Sequence, residues 1–132
     1  MNPSEYFSID FNDADLLSRL RSLSIDAFNR LPFGVIGFDK NERVVIYNDY
    51  EAECAGLAKD EVIGEAMFYV VAPCMNNYLV AERFREALAQ SASIDETLNY
   101  VLTLRMRPTP VVMRMLATGG DILRFLLIHR QK

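Results

Sequence analysis

The length and charge of the chain set broad limits on what it can be. It has 132 residues, 51% of them hydrophobic and 24% charged, which is ordinary for one globular domain with a real core. A net charge of −4 argues against nucleic-acid binding. No apolar run is long enough to cross a bilayer, no signal-peptide pattern opens the chain, and two cysteines are too few for a disulfide framework. We expect a single cytoplasmic domain, residues 1–132.

The first 30 residues are predicted to form a helical cap on a core made by residues 31–132. Asn12 or Asp13 can begin a helix. Four leucines then recur on one side of it: Leu16, Leu17, Leu20 and Leu23. Ser24 can begin a second short helix. Neither helix is long enough to be stable alone, so both must pack on something else.

A hairpin and several short helices come next. Residues 33–38 form an apolar run of strand length, residues 39–42 a polar turn, and residues 44–47 a second strand. Residues 48–63 indicate short helical pieces, broken at Gly56 and Gly64. Residues 67–71 then lead into Pro73 and Cys74, and residues 79–90 give the best helical pattern of the chain.

Three strands complete the chain. Residues 94–106 alternate between two faces, and one face carries Tyr100, Leu102, Leu104 and Met106. Residues 111–116 form another strand, residues 118–121 a hairpin turn containing Gly119 and Gly120, and residues 122–129 the last strand. The order predicts an α+β domain with a central antiparallel five-stranded sheet flanked by short helices.

This order of elements resembles that of a PAS domain, and three stretches resemble photoactive yellow protein more specifically. They are residues 31–48, 62–74 and 100–109, so the similarity runs from about residue 31 to the C-terminus. The resemblance implies a PAS fold with an N-terminal helical cap. A PAS fold alone indicates a sensor or interaction module without naming its ligand.

The resemblance also implies a chromophore and its site. In that family a cysteine carries p-coumaric acid (4-hydroxycinnamic acid) as a thioester, and Cys74 stands at that position. Tyr47 and Glu51 match the residues that donate hydrogen bonds to the phenolate oxygen. Met106 matches a methionine near the chromophore that assists its thermal return. Phe68 and Tyr69 precede the cysteine and are expected to line the same cavity.

A blue-light response follows from this chemistry as a hypothesis. A buried phenolate needs donors, and Glu51 can donate only if burial next to an anion keeps it protonated. Trans–cis isomerisation would let the proton leave Glu51. The uncompensated carboxylate would then favour local unfolding, with release of residues 1–30 as the signal. The downstream signalling protein is not named by the sequence.

Three positions depart from the family pattern. Ala55 stands where a threonine usually bonds the tyrosine, Leu57 replaces an arginine that shields the chromophore, and Leu104 replaces a common tyrosine. Each change removes a polar group from the neighbourhood of the site. We therefore expect a divergent member with an altered photocycle.

Other classes remain open beside this interpretation. Taken alone, Cys74 would be a small buried hydrophobe, Tyr47 a core residue and Glu51 a surface charge, while Cys54 is interpreted as structural. The main alternative is a chromophore-free PAS module that binds a partner or dimerises; we expect a monomer or a weak dimer.

An enzyme is not expected. Cys74 and His129 could act as a dyad only if the fold brought them together. A single histidine also argues against a zinc or haem site.

Overall fold

The computed structural model describes residues 9–103, 108–120 and 122–130, and these residues build a five-stranded sheet. The strands are β1 (Gly34–Asp39), β2 (Val44–Tyr47), β3 (Ile94–Leu102), β4 (Thr109–Ala117) and β5 (Leu123–Arg130). Their order across the sheet is β2-β1-β5-β4-β3, and each neighbouring pair is antiparallel. The predicted central antiparallel sheet is confirmed.

Short helices flank this sheet. The α-helices are α1 (Leu16–Arg21), α2 (Ile25–Asn29), α3 (Asp49–Ala55), α4 (Lys59–Val62) and α5 (Ala81–Ala89). A π-helical turn, Met67–Val71, and a 3-10 turn, Pro73–Met75, join α4 to the segment before α5. Gly56 ends α3 with a φ of 69°, a left-handed conformation that glycine adopts without strain. None of the described helices is long and apolar enough to cross a membrane.

The sheet separates two hydrophobic cores. On the inner face, side chains such as Ile36, Phe38 and Leu126 pack with Phe84 of α5 and Val62 of α4. On the outer face, Val35, Phe125 and Leu127 pack with residues of α1 and α2: Leu16, Leu20 and Phe28. Because side chains alternate along a strand, successive residues of β1 and β5 pack into opposite cores. Burial on both faces explains why these two central strands are almost continuously apolar.

The predicted caps of the N-terminal helices have different outcomes. Ser24 caps α2 as predicted, because its hydroxyl accepts from the backbone N–H of Ala27 at 3.2 Å. The expectation for α1 was wrong: the helix begins after Asp15, without a side-chain cap. Asp13 instead accepts from the N–H of Asp10 and pairs with Arg19 at 2.8 Å. The carboxylate of Asp13 therefore stabilises the turn that precedes α1 and does not cap the helix.

Arg114 fastens the segment before α1 to the outer face of the sheet. Its Nη1 donates to the carbonyl oxygens of Phe11 at 2.8 Å and Asp13 at 2.7 Å. Its Nε and Nη2 bind the two carboxylate oxygens of Asp95 at 2.9 and 3.0 Å. The guanidinium is buried, so it joins β4, β3 and the cap through charge-assisted bonds.

Several predicted element ends moved in the structure. Helix α5 begins at Ala81 rather than residue 79, because the side chain of Asn77 accepts from the N–H groups of Leu79 and Val80 and holds them in a turn. Strand β3 ends at Leu102, and residues 104–107 lie outside the described residues. The β4–β5 turn needs Gly119, since a Cβ there would lie 2.0 Å from the carbonyl oxygen of Ser91.

Candidate functional site

Glu51 is a buried carboxyl group whose strongest contact among the described residues is with Arg130. The chain enters α3 at Asn48, whose side chain accepts from the N–H of Glu51 at 3.2 Å, and this first turn points the Glu51 side chain at the inner face of the sheet. There it meets Arg130 at the end of β5, with Nη1–Oε1 at 2.6 Å and Nη2–Oε2 at 2.9 Å. The side chain of Glu51 is 2% exposed and that of Arg130 is 13% exposed. The contact is therefore a fork-to-fork ion pair inside the protein.

Gly34 makes room for this carboxylate. A Cβ at position 34 would lie 2.2 Å from Oε1 and 3.4 Å from Cβ of Glu51. Gly34 pairs with Ile128 of β5, two residues before Arg130, and its missing side chain lets the helix residue approach the strand backbone. The glycine is needed for close packing rather than for an unusual φ.

Burial and charge act against each other on this pair. Burial raises the pKa of Glu51, and the hydrogen bonds and charge of Arg130 oppose that change without cancelling it. Burial lowers the pKa of Arg130, but the hydrogen bond and charge of Glu51 raise it above its ordinary value. Arg130 therefore stays cationic, and removal of its guanidinium would raise the pKa of Glu51 further.

Tyr47 belongs to the same electrostatic site. Its side chain is buried at the end of β2, and burial raises the pKa of the phenol well above its ordinary value. The negative charge of Glu51 raises it further, and Arg130 opposes both effects. Tyr47 is accordingly a neutral O–H donor at any physiological pH. Tyr47 and Glu51, both predicted as site residues, therefore lie close enough for their charges to interact.

Asn48 holds the elements around the site together. Its Nδ2 donates to the carbonyl oxygens of Phe28 at 2.9 Å and Phe33 at 3.0 Å. Its Oδ1 accepts from the N–H groups of Val35 at 3.0 Å and Glu51 at 3.2 Å. The residue is 1% exposed and its amide is fully satisfied. It therefore links α2, β1 and the first turn of α3.

Cys74 lies in the 3-10 turn, half-buried against the inner core. Its carbonyl oxygen accepts from Tyr100 Oη at 2.7 Å and from Asn77 Nδ2 at 3.2 Å. Asn77 Nδ2 also lies 2.6 Å from Tyr100 Oη. This network fixes the backbone at the thiol to β3. The π-helical turn just before it is an unusual conformation, found frequently at functional sites.

The remaining predicted site residues have separate locations. Phe68 is fully buried, and its ring packs edge-on against Phe38 at 5.4 Å. Tyr69 is 68% exposed. Met106 lies outside the described residues, as does Leu104.

Two of the three departures from the family pattern are visible. Ala55 is buried at the end of α3, so no hydroxyl is available there to the phenol of Tyr47. Leu57 packs against the inner core. The resemblance leads one to expect a cation at position 57, whereas the guanidinium of this site comes from Arg130 on another element.

Cys74 and His129 do not form a catalytic dyad. The ring of His129 lies 5.7 Å from that of Phe11 on the outer face, whereas Cys74 packs against the inner core. Within residues 9–103, 108–120 and 122–130, no cluster of three or more histidine, cysteine or acidic side chains is arranged to hold a metal ion.

Comparison with known proteins places this chain in a family. A model of the PAS fold matches residues 28–131. Photoactive yellow protein from Rhodothalassium salexigens is 31% identical over 114 residues, covering 86% of this chain and 90% of the relative. Photoactive yellow protein from Halochromatium salexigens is 32% identical over 122 residues, covering 92% and 97%. The chain belongs to the photoactive yellow protein family.

A solved structure agrees with this assignment. The photoactive yellow protein domain of the sensor histidine kinase Ppr from Rhodospirillum centenum superposes with a TM-score of 0.78 at 26% identity, covering 86% of this chain and 98% of that domain. The PAS fold predicted from the order of elements is confirmed. Photoactive yellow proteins and PAS domains are sensory modules rather than enzymes.

The sequence did not single out every important residue of this family member. Arg130 carried no motif, and its pairing with Glu51 spans 79 positions of the chain. Asn77 and Tyr100 carried no visible link to the backbone of Cys74 either. One signal was present: Gly34 interrupts an apolar strand, and an isolated glycine there often marks a close approach.

Proposed function

We propose that this protein is a blue-light photoreceptor that carries p-coumaric acid as a thioester on Cys74. The observation that supports this most is the buried pair of Tyr47 and Glu51 in a photoactive yellow protein fold. The half-exposed thiol of Cys74 adjoins the same inner core that contains Tyr47. The downstream signalling protein stays unidentified.

The residues present fit a hydroxycinnamoyl group. An anionic ring oxygen in the interior needs hydrogen-bond donors. Tyr47 is a neutral phenol that can donate, and Arg130 supplies cationic N–H groups at the same site. Cys74 is partly exposed, and the two hydrogen bonds to its carbonyl oxygen hold the backbone that carries the thiol.

The chain's own residues would have distinct tasks. Sγ of Cys74 would attack the acyl carbon, forming the S–C bond as the activating group leaves with its electron pair and the thiol proton passes to solvent. Tyr47 would orient the ring oxygen. When bound, the group absorbs blue light and isomerises about its double bond. Glu51 would hold a proton in the dark and give it up after light.

The signal in this proposal is release of the N-terminal cap. Asn48 contacts both Glu51 and the carbonyl oxygen of Phe28 in α2. A newly charged Glu51, formed while Arg130 is still turned towards the ring oxygen, would disturb the first turn of α3, and with it this attachment of the cap. Hydrogen exchange of the cap that is identical in dark and light would contradict the proposed signal.

One observation favours a chromophore-free PAS module as a second candidate. The carboxylate of Glu51 is already satisfied by Arg130, so the fold itself does not require a bound phenolate. Such a module would bind a partner or dimerise. Both cysteines are free thiols, which agrees with a reducing, cytoplasmic location for either function.

Reconstitution with activated p-coumarate separates the two candidates. We expect a mass increase of one p-coumaroyl group and a visible band that bleaches in blue light. Cys74→Ala should abolish both. Cys54→Ala is the matched control, because Cys54 is the other thiol and is exposed; it should keep the adduct and the band. Absence of an adduct at Cys74 would favour the partner-binding module.

A further inference from the structure

The ion pair of Glu51 and Arg130 has a consequence for the protonation of the site. We propose that Arg130 is a transferable counter-ion: it holds Glu51 as a carboxylate until an anionic ligand oxygen takes over the guanidinium, and Glu51 then becomes protonated. The identity of the ligand, the ring oxygen of a hydroxycinnamoyl group, rests on the proposed function. The action of Arg130 on Glu51 concerns the protein alone.

The two partners differ in their freedom to move. Glu51 is enclosed by α3 and by the backbone at Gly34, with its side chain 2% exposed. Arg130 occupies the last position of β5 and keeps 13% of its side chain exposed. The hydrogen bonds to Glu51 use two of the five N–H groups of the guanidinium. Arg130 is therefore the partner that can turn towards a new acceptor.

Charge balance determines what happens to Glu51. The carboxylate and the guanidinium together carry no net charge. An added ring oxygen with a negative charge would leave one uncompensated anion in the interior, which is strongly unfavourable. Protonation of Glu51 restores neutrality. If the ring enters as a neutral phenol, its own proton can pass to Glu51; if it enters as a phenolate, the proton comes from solvent.

The neighbouring titratable groups do not offer a better acceptor for that proton. Tyr47 of β2 already holds its proton, since burial raises the pKa of its phenol. Burial also raises the pKa of the Tyr50 phenol in α3, so it too holds its proton. Within the described residues, another group whose charge acts on this site is Cys54 of α3, which is exposed. Among these groups, Glu51 alone depends on Arg130 for its negative charge. It is therefore the group that takes up a proton when the ligand oxygen binds Arg130.

This accounts for two states of Glu51 in one site. The resemblance implied a protonated Glu51 that donates to a phenolate, whereas in the structure the carboxyl group of Glu51 binds the guanidinium of Arg130. In the proposed exchange, the first state belongs to the protein with a bound anion and the second to the protein without one. Arg130 acts as a positioning residue, through Glu51.

Infrared spectroscopy of the protein without chromophore tests the role of Arg130. The C=O stretch of a protonated carboxyl group is assigned to Glu51 by its loss in Glu51→Gln and followed over pH. In Arg130→Gln we expect this band to persist to a pH about 1–3 higher than in the unaltered protein. In Arg130→Lys this pH should lie between those of the other two proteins, because lysine keeps the positive charge but cannot form the double hydrogen bond. Arg130→Lys also replaces Arg130→Gln in the test if that variant does not fold.

Arg85→Gln is the matched control. Arg85 also binds a carboxylate with two nitrogens, at 2.7 and 2.8 Å from Glu42, but does not touch Glu51. Its removal should leave the Glu51 band unchanged. An unchanged Glu51 titration in a folded Arg130 variant would overturn the proposal, as would a protonated Glu51 at neutral pH in the unaltered protein without chromophore.

A second measurement tests the exchange itself. After attachment of p-coumarate to Cys74, verified by mass, the unaltered protein should gain the Glu51 band at neutral pH. An adduct without this band would overturn the exchange. Failure to form any adduct would instead overturn the proposed function, while the titrations of the unloaded variants would still decide how Arg130 acts on Glu51.

Discussion

At the scale of single residues, Glu51 and Arg130 depend on each other. Removing one member of a buried ion pair costs about 3–5 kcal/mol, because the other charge stays behind without compensation. Replacing both with apolar residues of similar size is often neutral. The pair therefore need not make the fold more stable than an apolar core of the same size would.

The pH dependence of stability should report on Glu51. Burial raises its pKa in the folded protein above the ordinary value of 4.5, so between these two values the folded state binds more protons than the unfolded state. The contribution of Glu51 to stability is then greatest below pH 4.5 and falls as the pH rises towards the folded pKa. We therefore expect the difference in unfolding free energy between the unaltered protein and Glu51→Gln, measured with urea, to decrease as the pH rises through this range. A difference that rises with pH would contradict this sign.

Gly34 offers a way to disturb the pair without removing either charge. In Gly34→Ala the new methyl group would meet Oε1 of Glu51 at 2.2 Å and push the carboxylate from its place. We expect a loss of about 1–3 kcal/mol in the free energy of unfolding. Gly120→Ala is the control, since nothing lies within 4 Å of a Cβ there. Equal losses in the two variants would show that crowding at Glu51 is not the cause.

The sequence predicted some of these residues and missed others for a physical reason. Cys74, Tyr47 and Glu51 lie in local stretches where residue type and spacing carry a resemblance. Arg130 reaches Glu51 only because β5 pairs with β1, a long-range contact that local periodicity does not reveal. The same reasoning applies to Arg114, whose partners Phe11 and Asp13 lie about 100 positions away.

At the scale of elements, the described part of the cap packs on the outer face of the sheet through its apolar side chains. Helices α1 and α2 have six and five residues and depend on the outer face of the sheet for their stability. The amphipathic leucines predicted this packing correctly. Helix starts were less predictable, because side chains such as Asp13 and Asn77 form turns that compete with the helix.

The attachment of the cap should respond strongly to Arg114. In Arg114→Met, two hydrogen bonds to the carbonyl oxygens of Phe11 and Asp13 are lost, and we expect about 2 kcal/mol less stability. Amide exchange should increase in residues 9–16 more than elsewhere. Asp95→Asn is the control, because it removes the charge partner and leaves both bonds to the carbonyl groups. Equal exchange in the two variants would contradict the role given to these bonds.

At the scale of the whole molecule, one sheet separates two cores, and consecutive residues at the end of β5 face opposite sides of it. His129 faces Phe11 on the outer side, and the next residue, Arg130, faces Glu51 on the inner side. Asn48 makes a second connection, from α3 to the carbonyl oxygen of Phe28. The site and the cap are therefore linked by direct contacts rather than through a long chain of side chains.

Asn48 should consequently affect both cores. Asn48→Ala would leave four backbone groups without their partner, and we expect a loss of at least about 2 kcal/mol with faster exchange in both α2 and α3. Asn29→Ala is the comparison variant, because the side-chain Oδ1 of Asn29 accepts from the backbone N–H of Asp49 and from Nζ of Lys59 at a more exposed position. Faster exchange confined to α3 would show that Asn48 does not connect the two units.

The separation of Glu51 and Arg130 along the chain also has a kinetic meaning. The pair spans 79 positions and can close only after β5 has docked beside β1, which makes it a late contact in folding. Interactions absent from the folding transition state change the unfolding rate and leave the refolding rate nearly unaltered. Stopped-flow measurements on Arg130→Lys should therefore show faster unfolding at almost constant refolding; slowed refolding would place the pair in the nucleus. A late contact of this kind sets how long the native state survives, so the residue that controls charge at the site would also determine the lifetime of the fold.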